Sequence, residues 1–341
     1  MKAAVIAKSM DLEIWDVPVP VPGDYEVLCE MEYGSTCAGT DQRLMRGEHP
    51  NPVHYPGILG HESVGRVVEV GKKVKNYKVG DLVSRVGSPT GLMDDLGICW
   101  GGFAQYGIAK DHWQMKKDGI ERCLWEKSRV NQIIPEEIDS RDAPMIITWR
   151  ETLSYLLRLG VSAGKRVLVV GAGANALSFA ALSCNLGARV WVVGSPQKQA
   201  WFQKYPIEGY FDYHEEKLEE RLADEGVREM DFLVDGIGSS ETVNRVLSCL
   251  KKGGLVGIYG WNDRRSAGIN PFRASGSFQV YADGYDEEET HGAVIAMILR
   301  GELRAEDWYD KENPVSLTEI SDAYERLKKH EAMKFLIRLK D

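Results

Sequence analysis

Short apolar runs rich in β-branched residues, punctuated by Gly and Pro, dominate the chain up to residue 145. Glu26–Met31, Val64–Val70 and Asp81–Val86 are three of them, and the turn Val79-Gly80-Asp81 sits between the last two. The pattern predicts short strands. Met1-Lys2-Ala3-Ala4-Val5-Ile6 is too short an apolar run for a secretion signal and is expected to form a first strand. Beyond residue 145 the pattern changes. A helix is predicted over 151–160, then an apolar run, Lys165–Val170, of the kind found in strands buried on both faces. Helix-like and strand-like stretches then alternate: a helix from Ala176 to Leu186, a strand Ala188–Val193, an amphipathic helix Glu215–Glu225, a strand Asp231–Asp235, a helix Glu241–Leu250 and a strand Leu255–Tyr259. That alternation implies βαβ units and a parallel sheet. From residue 282 the character is mixed, with helices predicted over 291–300 and 317–329 and a last strand over 335–339. No repeat of 20–50 residues and no low-complexity tract interrupts this order.

Composition narrows the class. The chain has 341 residues, enough for two domains or three. It is 43% hydrophobic and 27% charged, as ordinary folded proteins are, and no run approaches about 18 apolar residues. No membrane partner is expected from so short a set of apolar runs, and the 42 basic and 51 acidic residues give 42 − 51 = −9, which argues against a general nucleic-acid binder. Six cysteines without paired spacing do not form a disulfide framework, and a cytoplasmic location is expected.

The strongest chemical signal is Gly171-Ala172-Gly173-Ala174-Asn175-Ala176, directly after one buried strand and at the start of a helix. It is the G-x-G-x-x-A dinucleotide fingerprint. Gly171 permits the tight turn, Gly173 lets backbone approach a pyrophosphate, and Ala176 allows close helix–strand packing. Free N–H groups at the helix start, with Ala174 and Asn175 in its first turn, suit phosphate. The second strand ends Val193-Gly194-Ser195-Pro196-Gln197-Lys198, without the carboxylate that would repel a 2′-phosphate. Gly194 leaves room, Ser195 can donate a hydrogen bond, Lys198 supplies charge, and Tyr213 is spaced to cover the adenosine. NADP is therefore expected over NAD, the alternative being a neutral turn that accepts both.

With Pro56-Gly57-Ile58-Leu59-Gly60-His61-Glu62-Ser63-Val64-Gly65, Val79–Val83 and Gly101–Tyr106, nearly the whole chain resembles the medium-chain dehydrogenase/reductase superfamily. Within it the resemblance is to the zinc alcohol and polyol dehydrogenases, archaeal glucose dehydrogenase and sorbitol dehydrogenase groups among them. The first segment resembles the family's G-H-E-x-x-G signature. The resemblance implies an α/β protein: a GroES-like β-rich catalytic domain over 1–147, a Rossmann domain with a doubly wound parallel sheet over 148–282, and a C-terminal return to the catalytic domain over 283–341. It also implies one catalytic zinc per chain, a homodimer or homotetramer, and a small alcohol, polyol or sugar substrate.

Family zinc is held by a Cys, the His of G-H-E and a third Cys or Glu, leaving one position open. The candidates are Cys37, His61, Glu62 and Glu151. Glu62 is either a ligand or a group that orients ligands. Cys37-Ala38-Gly39-Thr40-Asp41 is one residue longer than the usual C-G-T-D and has the length of a pattern in zinc-free relatives. Cys37 is expected as a ligand, the alternative being a small buried apolar residue. Trp149-Arg150-Glu151-Thr152-Leu153 resembles the segment that brings the third ligand and points to Glu151, although an ungapped alignment puts Thr148 there; a carboxylate favoured by a helix start is the plain alternative. Thr40 resembles the proton-relay hydroxyl, with Asp41 in support and His49 or His54 able to extend it. Only Cys99 lies between Ser84 and Trp113, so no structural zinc is expected. Gln42, Arg43, Asp94, Asp95, Trp100, Trp149, Arg150, Trp261 and Asn262 offer polar or aromatic groups for a polyhydroxylated substrate. The expected reaction is hydride transfer between a secondary alcohol or hemiacetal and NADP(H). The alternatives are a zinc-free NADPH-dependent reductase of quinones or enones with the same fold, and a non-catalytic binding protein.

Overall fold

Apolar strands that emerge after Gly-rich turns must pair, and in the computed structural model they pair in two different ways. The structure describes residues 1–260, 262 and 268–340. They form two compact units: Met1–Thr148 with Glu287–Asp341, and Trp149–Asp286.

The second unit is a six-stranded, wholly parallel sheet. Its strands are Arg166–Val170, Arg189–Gly194, Gly209–Asp212, Met230–Asp235, Leu250–Ile258 and Gln279–Tyr281. Numbered in chain order they lie 3-2-1-4-5-6. That is the doubly wound dinucleotide-binding order, with its crevice where the winding reverses. Val167, Leu168, Val169 and Val170 are fully buried, because helices cover both faces of such a sheet. The fingerprint helix, Ala174–Asn185, is almost entirely apolar and small on its buried positions, which lets it lie close on the sheet.

The first unit is mostly antiparallel. One sheet brings together Glu26–Ser35, Ser63–Val70, Leu82–Ser84, Tyr106–Lys110 and the late strand Leu336–Arg338. A smaller one pairs Lys2–Ile6 with Leu12–Asp16 and Gly57–Ile58. The core between them is built from Ala4, Ile6, Met31, Val67, Phe103 and, from the end of the chain, Ile320, Tyr324 and Ile337. Residues 287–341 therefore complete the same core as residues 1–148. Together the units make a mixed α/β protein with a GroES-like β-rich part and a Rossmann-type parallel sheet.

Several elements differ from the sequence expectation at their ends. The helix expected from Glu215 runs Leu218–Asp224, since Asp212 ties down the backbone and ring of His214 just before it. The helix expected over 241–250 gives way to a short 3-10 turn at Leu247–Cys249. The strand expected to reach Val86 stops at Ser84 because Arg85 turns to φ 59°. No described helix is long and apolar enough to cross a membrane. All six cysteines are free, and Cys99 is buried in the core.

Candidate active site

In the first unit, three side chains converge. Cys37 stands at the N-terminus of the helix Ala38–Met45, immediately beyond the strand Glu26–Ser35. His61 and Glu62 occupy the turn between Gly57–Ile58 and Ser63–Val70. The turn is tight: Gly60 has φ 103°, and a Cβ there would come within 2.6 Å of the Phe103 backbone nitrogen. Only glycine fits, which is why a Gly precedes the His. One ligand atom from each of Cys37, His61 and Glu62 lies within 4.8 Å of the others, and all three residues are buried.

The surroundings fix each donor. Asp41 takes a hydrogen bond from the Cys37 backbone N–H at 2.8 Å and another from the Tyr324 hydroxyl at 2.6 Å. Its other oxygen faces His61 Nδ1 at 3.3 Å. A carboxylate there favours the proton on Nδ1 and leaves the Nε2 lone pair for a metal. Burial works to lower the His61 pKa, but Asp41 and Cys37, through hydrogen bonds and charge, raise it well above the usual value. Surroundings that favour an imidazolium favour a divalent cation for the same electrostatic reason. The buried soft thiol and imidazole therefore fit zinc.

Glu62 is held differently. Oε1 accepts from Thr148 at 3.0 Å and from Lys334 Nζ at 2.6 Å, and Oε2 accepts from Ser35 and again from Lys334. A carboxylate offers about four lone-pair sites, so none is left over. Lys334 is wholly buried. Burial opposes its ammonium, yet the Glu62 charge holds its pKa above the ordinary value. Behind His61, Arg85 donates to the His61 carbonyl at 2.9 Å and reaches Glu287 at 3.3 Å.

The other expected residues fall as follows. Thr40 is half-buried on the first turn after Cys37, followed by half-buried Gln42 and Arg43. His49 and Trp100 rings meet edge to face at 5.3 Å, and Trp100 also lies 5.6 Å from the His61 ring. His54 pairs with Asp95 on the surface, where Asp94 is also exposed. In the second unit Glu151 is buried and accepts from the Tyr259 hydroxyl at 3.0 Å, while Trp149 and Arg150 are fully buried on the same helix. Asn262 is exposed, and Trp261 lies outside the described residues.

The glycine-rich segment expected to cradle phosphate lies in the second unit. Gly171 takes φ 124°, a conformation that favours glycine, and Gly173 caps the helix with no side-chain acceptor. Ala174 and Asn175 are half-buried in the first turn, and the methyl of Ala176 lies 3.5 Å from where a Gly171 Cβ would be. At the second strand's end a side chain on Gly194 would collide with Tyr210, whose hydroxyl donates to the Ser195 carbonyl at 2.6 Å. Tyr213 stacks on His214 at 3.8 Å. Lys198 is buried with its ammonium 4.7 Å from the Trp201 ring centre, and burial lowers its pKa. Tyr210, Tyr324 and Lys334 were not singled out by the sequence reading. For Lys334 a signal existed: a lone lysine inside the apolar run Met333–Ile337.

A parallel sheet in dinucleotide-binding order and, in the same chain, a β-rich unit with a buried Cys–His–Glu group are the two parts that an alcohol dehydrogenase-type oxidoreductase combines. Comparison with known proteins agrees. Residues 23–119 match the alcohol dehydrogenase GroES-like domain. L-threonine 3-dehydrogenase of Xanthomonas axonopodis pv. citri is 27% identical over 279 residues, 75% of this chain and 76% of that one. L-galactonate-5-dehydrogenase of Escherichia coli is 27% identical over 252 residues, 71% of each. The crystal structure of 2R,3R-butanediol dehydrogenase from Bacillus subtilis superposes with a TM-score of 0.79 over 99% of both chains at 20% identity. Residues 23–119 thus carry an alcohol dehydrogenase GroES-like domain, the chain is similar over about three quarters of its length to named dehydrogenases, and it shares the fold of a solved butanediol dehydrogenase.

Proposed function

We propose that this chain is a zinc-dependent dehydrogenase that moves hydride between a secondary alcohol or hemiacetal of a polyol, sugar or cyclitol and NADP(H). The buried Cys37–His61–Glu62 group carries the reading. Cys37 and His61 serve as metal donors. Glu62, with every lone pair engaged, positions them, and Glu151 is retained as the third donor from the resemblance. Zinc bound there supplies Lewis acidity, lowering the pKa of the substrate hydroxyl. Thr40, beside Cys37, takes that proton and passes it toward solvent. A bound nicotinamide would accept the hydride from the carbinol carbon, one alcohol becoming one carbonyl with one proton released. Asp41 and Tyr324 hold the His61 tautomer through the cycle.

Elemental analysis of protein purified without chelator tests this first. About one zinc per chain is expected, with turnover of sugars or polyols. A value near zero that added zinc cannot restore overturns the reading and shifts the assay to NADPH-dependent reduction of quinones and enones.

The cofactor choice is proposed from the missing carboxylate after Val193 and from Ser195, Lys198 and Tyr210 around Gly194. Lys198→Ala is expected to weaken NADPH binding about 10-fold, the scale of one charge-assisted contact, while NADH binding stays within about 2-fold. Fluorescence titration of both cofactors measures it. Equal losses for the two would remove Lys198 from phosphate recognition.

A further inference from the structure

Among the described residues, Trp100 is a bulky aromatic residue beside the Cys37–His61–Glu62 group that the chemistry above leaves without a task. Its backbone is held in the left-handed region at φ 69°. Tryptophan has no intrinsic preference for that region, so the surroundings must impose it. They do. The N–H groups on either side of it, at Cys99 and Gly101, both donate to the Ile58 carbonyl, at 2.7 and 3.1 Å. Ile58 belongs to the segment that carries His61, so the indole is fixed to the same piece of backbone as the donor it faces. The ring lies 5.6 Å from the His61 ring and is braced edge-on by His49 at 5.3 Å. It is nevertheless 39% exposed. Its Nε1–H has no acceptor among the described residues.

A braced, strained and half-open indole serves poorly as core. It presents a flat apolar face with a single hydrogen-bond donor at the edge. We propose that Trp100 is the specificity-determining wall of the substrate site, and that it selects a cyclic polyhydroxylated substrate, a pyranose or a cyclitol. This rests on the dehydrogenase reading above and sharpens its substrate class. The ring hydrogens on one side of a chair make a rigid apolar face that matches the indole, while an equatorial hydroxyl reaches Nε1–H. A linear polyol with the same number of hydroxyls must first be ordered to offer such a face, which costs rotamer entropy. A small alcohol has no such face to offer.

The test uses the zinc-loaded enzyme and calorimetric binding of D-glucose, myo-inositol, sorbitol and 2-propanol. Trp100→Ala is expected to bind the two cyclic compounds about 10-fold more weakly and to change the other two by less than about 2-fold. Trp100→Phe recovers most of the loss. Trp100→Gly, which suits φ 69°, is expected to melt within about 3 °C of the parent and to keep its zinc while losing the same selectivity. Loss of zinc together with ring binding would make Trp100 a cover for His61 and overturn the proposal. So would equal losses for cyclic and linear compounds, or a parent enzyme that binds neither cyclic compound. Ring binding without turnover by any cofactor strikes the dehydrogenase reading alone and leaves the wall standing.

Discussion

His61→Ala protein is expected to come out of purification with little zinc and with turnover down by about 10³-fold or more. The magnitude follows from the several kcal/mol of transition-state stabilisation that a Lewis-acid metal supplies, each 1.36 kcal/mol being a factor of ten. Alanine removes one of the three ligand-type side chains that the first unit brings together. It also leaves the Asp41 oxygen, already short of partners, with nothing to face. The phosphate cradle belongs to the other compact unit, whose sheet and fingerprint helix do not depend on residue 61. NADPH binding is therefore expected to survive within about 3-fold. Metal analysis, steady-state kinetics and a fluorescence titration on one preparation separate the two effects. A variant that keeps turnover removes the zinc mechanism. One that loses cofactor binding as well has lost its fold rather than its metal.

Lys334→Met is expected to be the most destabilising single change in the first unit. It leaves the Glu62 carboxylate almost completely buried with its ammonium gone, and breaking a buried pair from one side costs about 3–5 kcal/mol. The melting temperature should fall by on the order of 10 °C. Adding Glu62→Gln removes the orphaned charge; the amide oxygen accepts from one of the Ser35 and Thr148 hydroxyls and the amide NH2 donates to the other hydroxyl's oxygen. The double variant is expected to recover most of the loss, since replacing both partners of a buried pair is often close to neutral. Thermal melts of the four members of this cycle decide it. If the single Lys334 variant melts with the parent, Glu62 is not held as described. If the double variant is no better than the single one, Lys334 acts through packing instead of charge.

The parallel sheet was readable because its strands are apolar on both faces and its turns carry Gly at fixed places. Gly171, Gly173 and Ala176 announce their jobs by spacing alone. His61 and Glu62 were legible through the glycine forced on position 60. What escaped is what depends on distant chain segments meeting. Nothing local to Glu62 announces Lys334, and nothing near Asp41 announces Tyr324. For Glu62 the sequence leaves ligand and orienting group both open, and the contacts that bear on the choice come from Ser35, Thr148 and Lys334, none of them adjacent in the chain. Tyr210, whose hydroxyl donates to the Ser195 carbonyl, was not legible, because its contact joins two neighbouring strands and is not marked by spacing along either.

Glu62 and the lysine that neutralises it are 272 residues apart in sequence. The unit between them, Trp149–Asp286, is continuous in the chain, whereas the unit that holds Cys37 and His61 is not. During synthesis the cofactor-binding unit has all of its own strands as soon as it emerges. The unit that holds Cys37 and His61 must wait, with Asp41 lacking Tyr324 and Glu62 lacking Lys334, until residues 320–338 arrive. The surroundings of Cys37, His61 and Glu62 thus cannot be complete before nearly the last residue of the chain has been made.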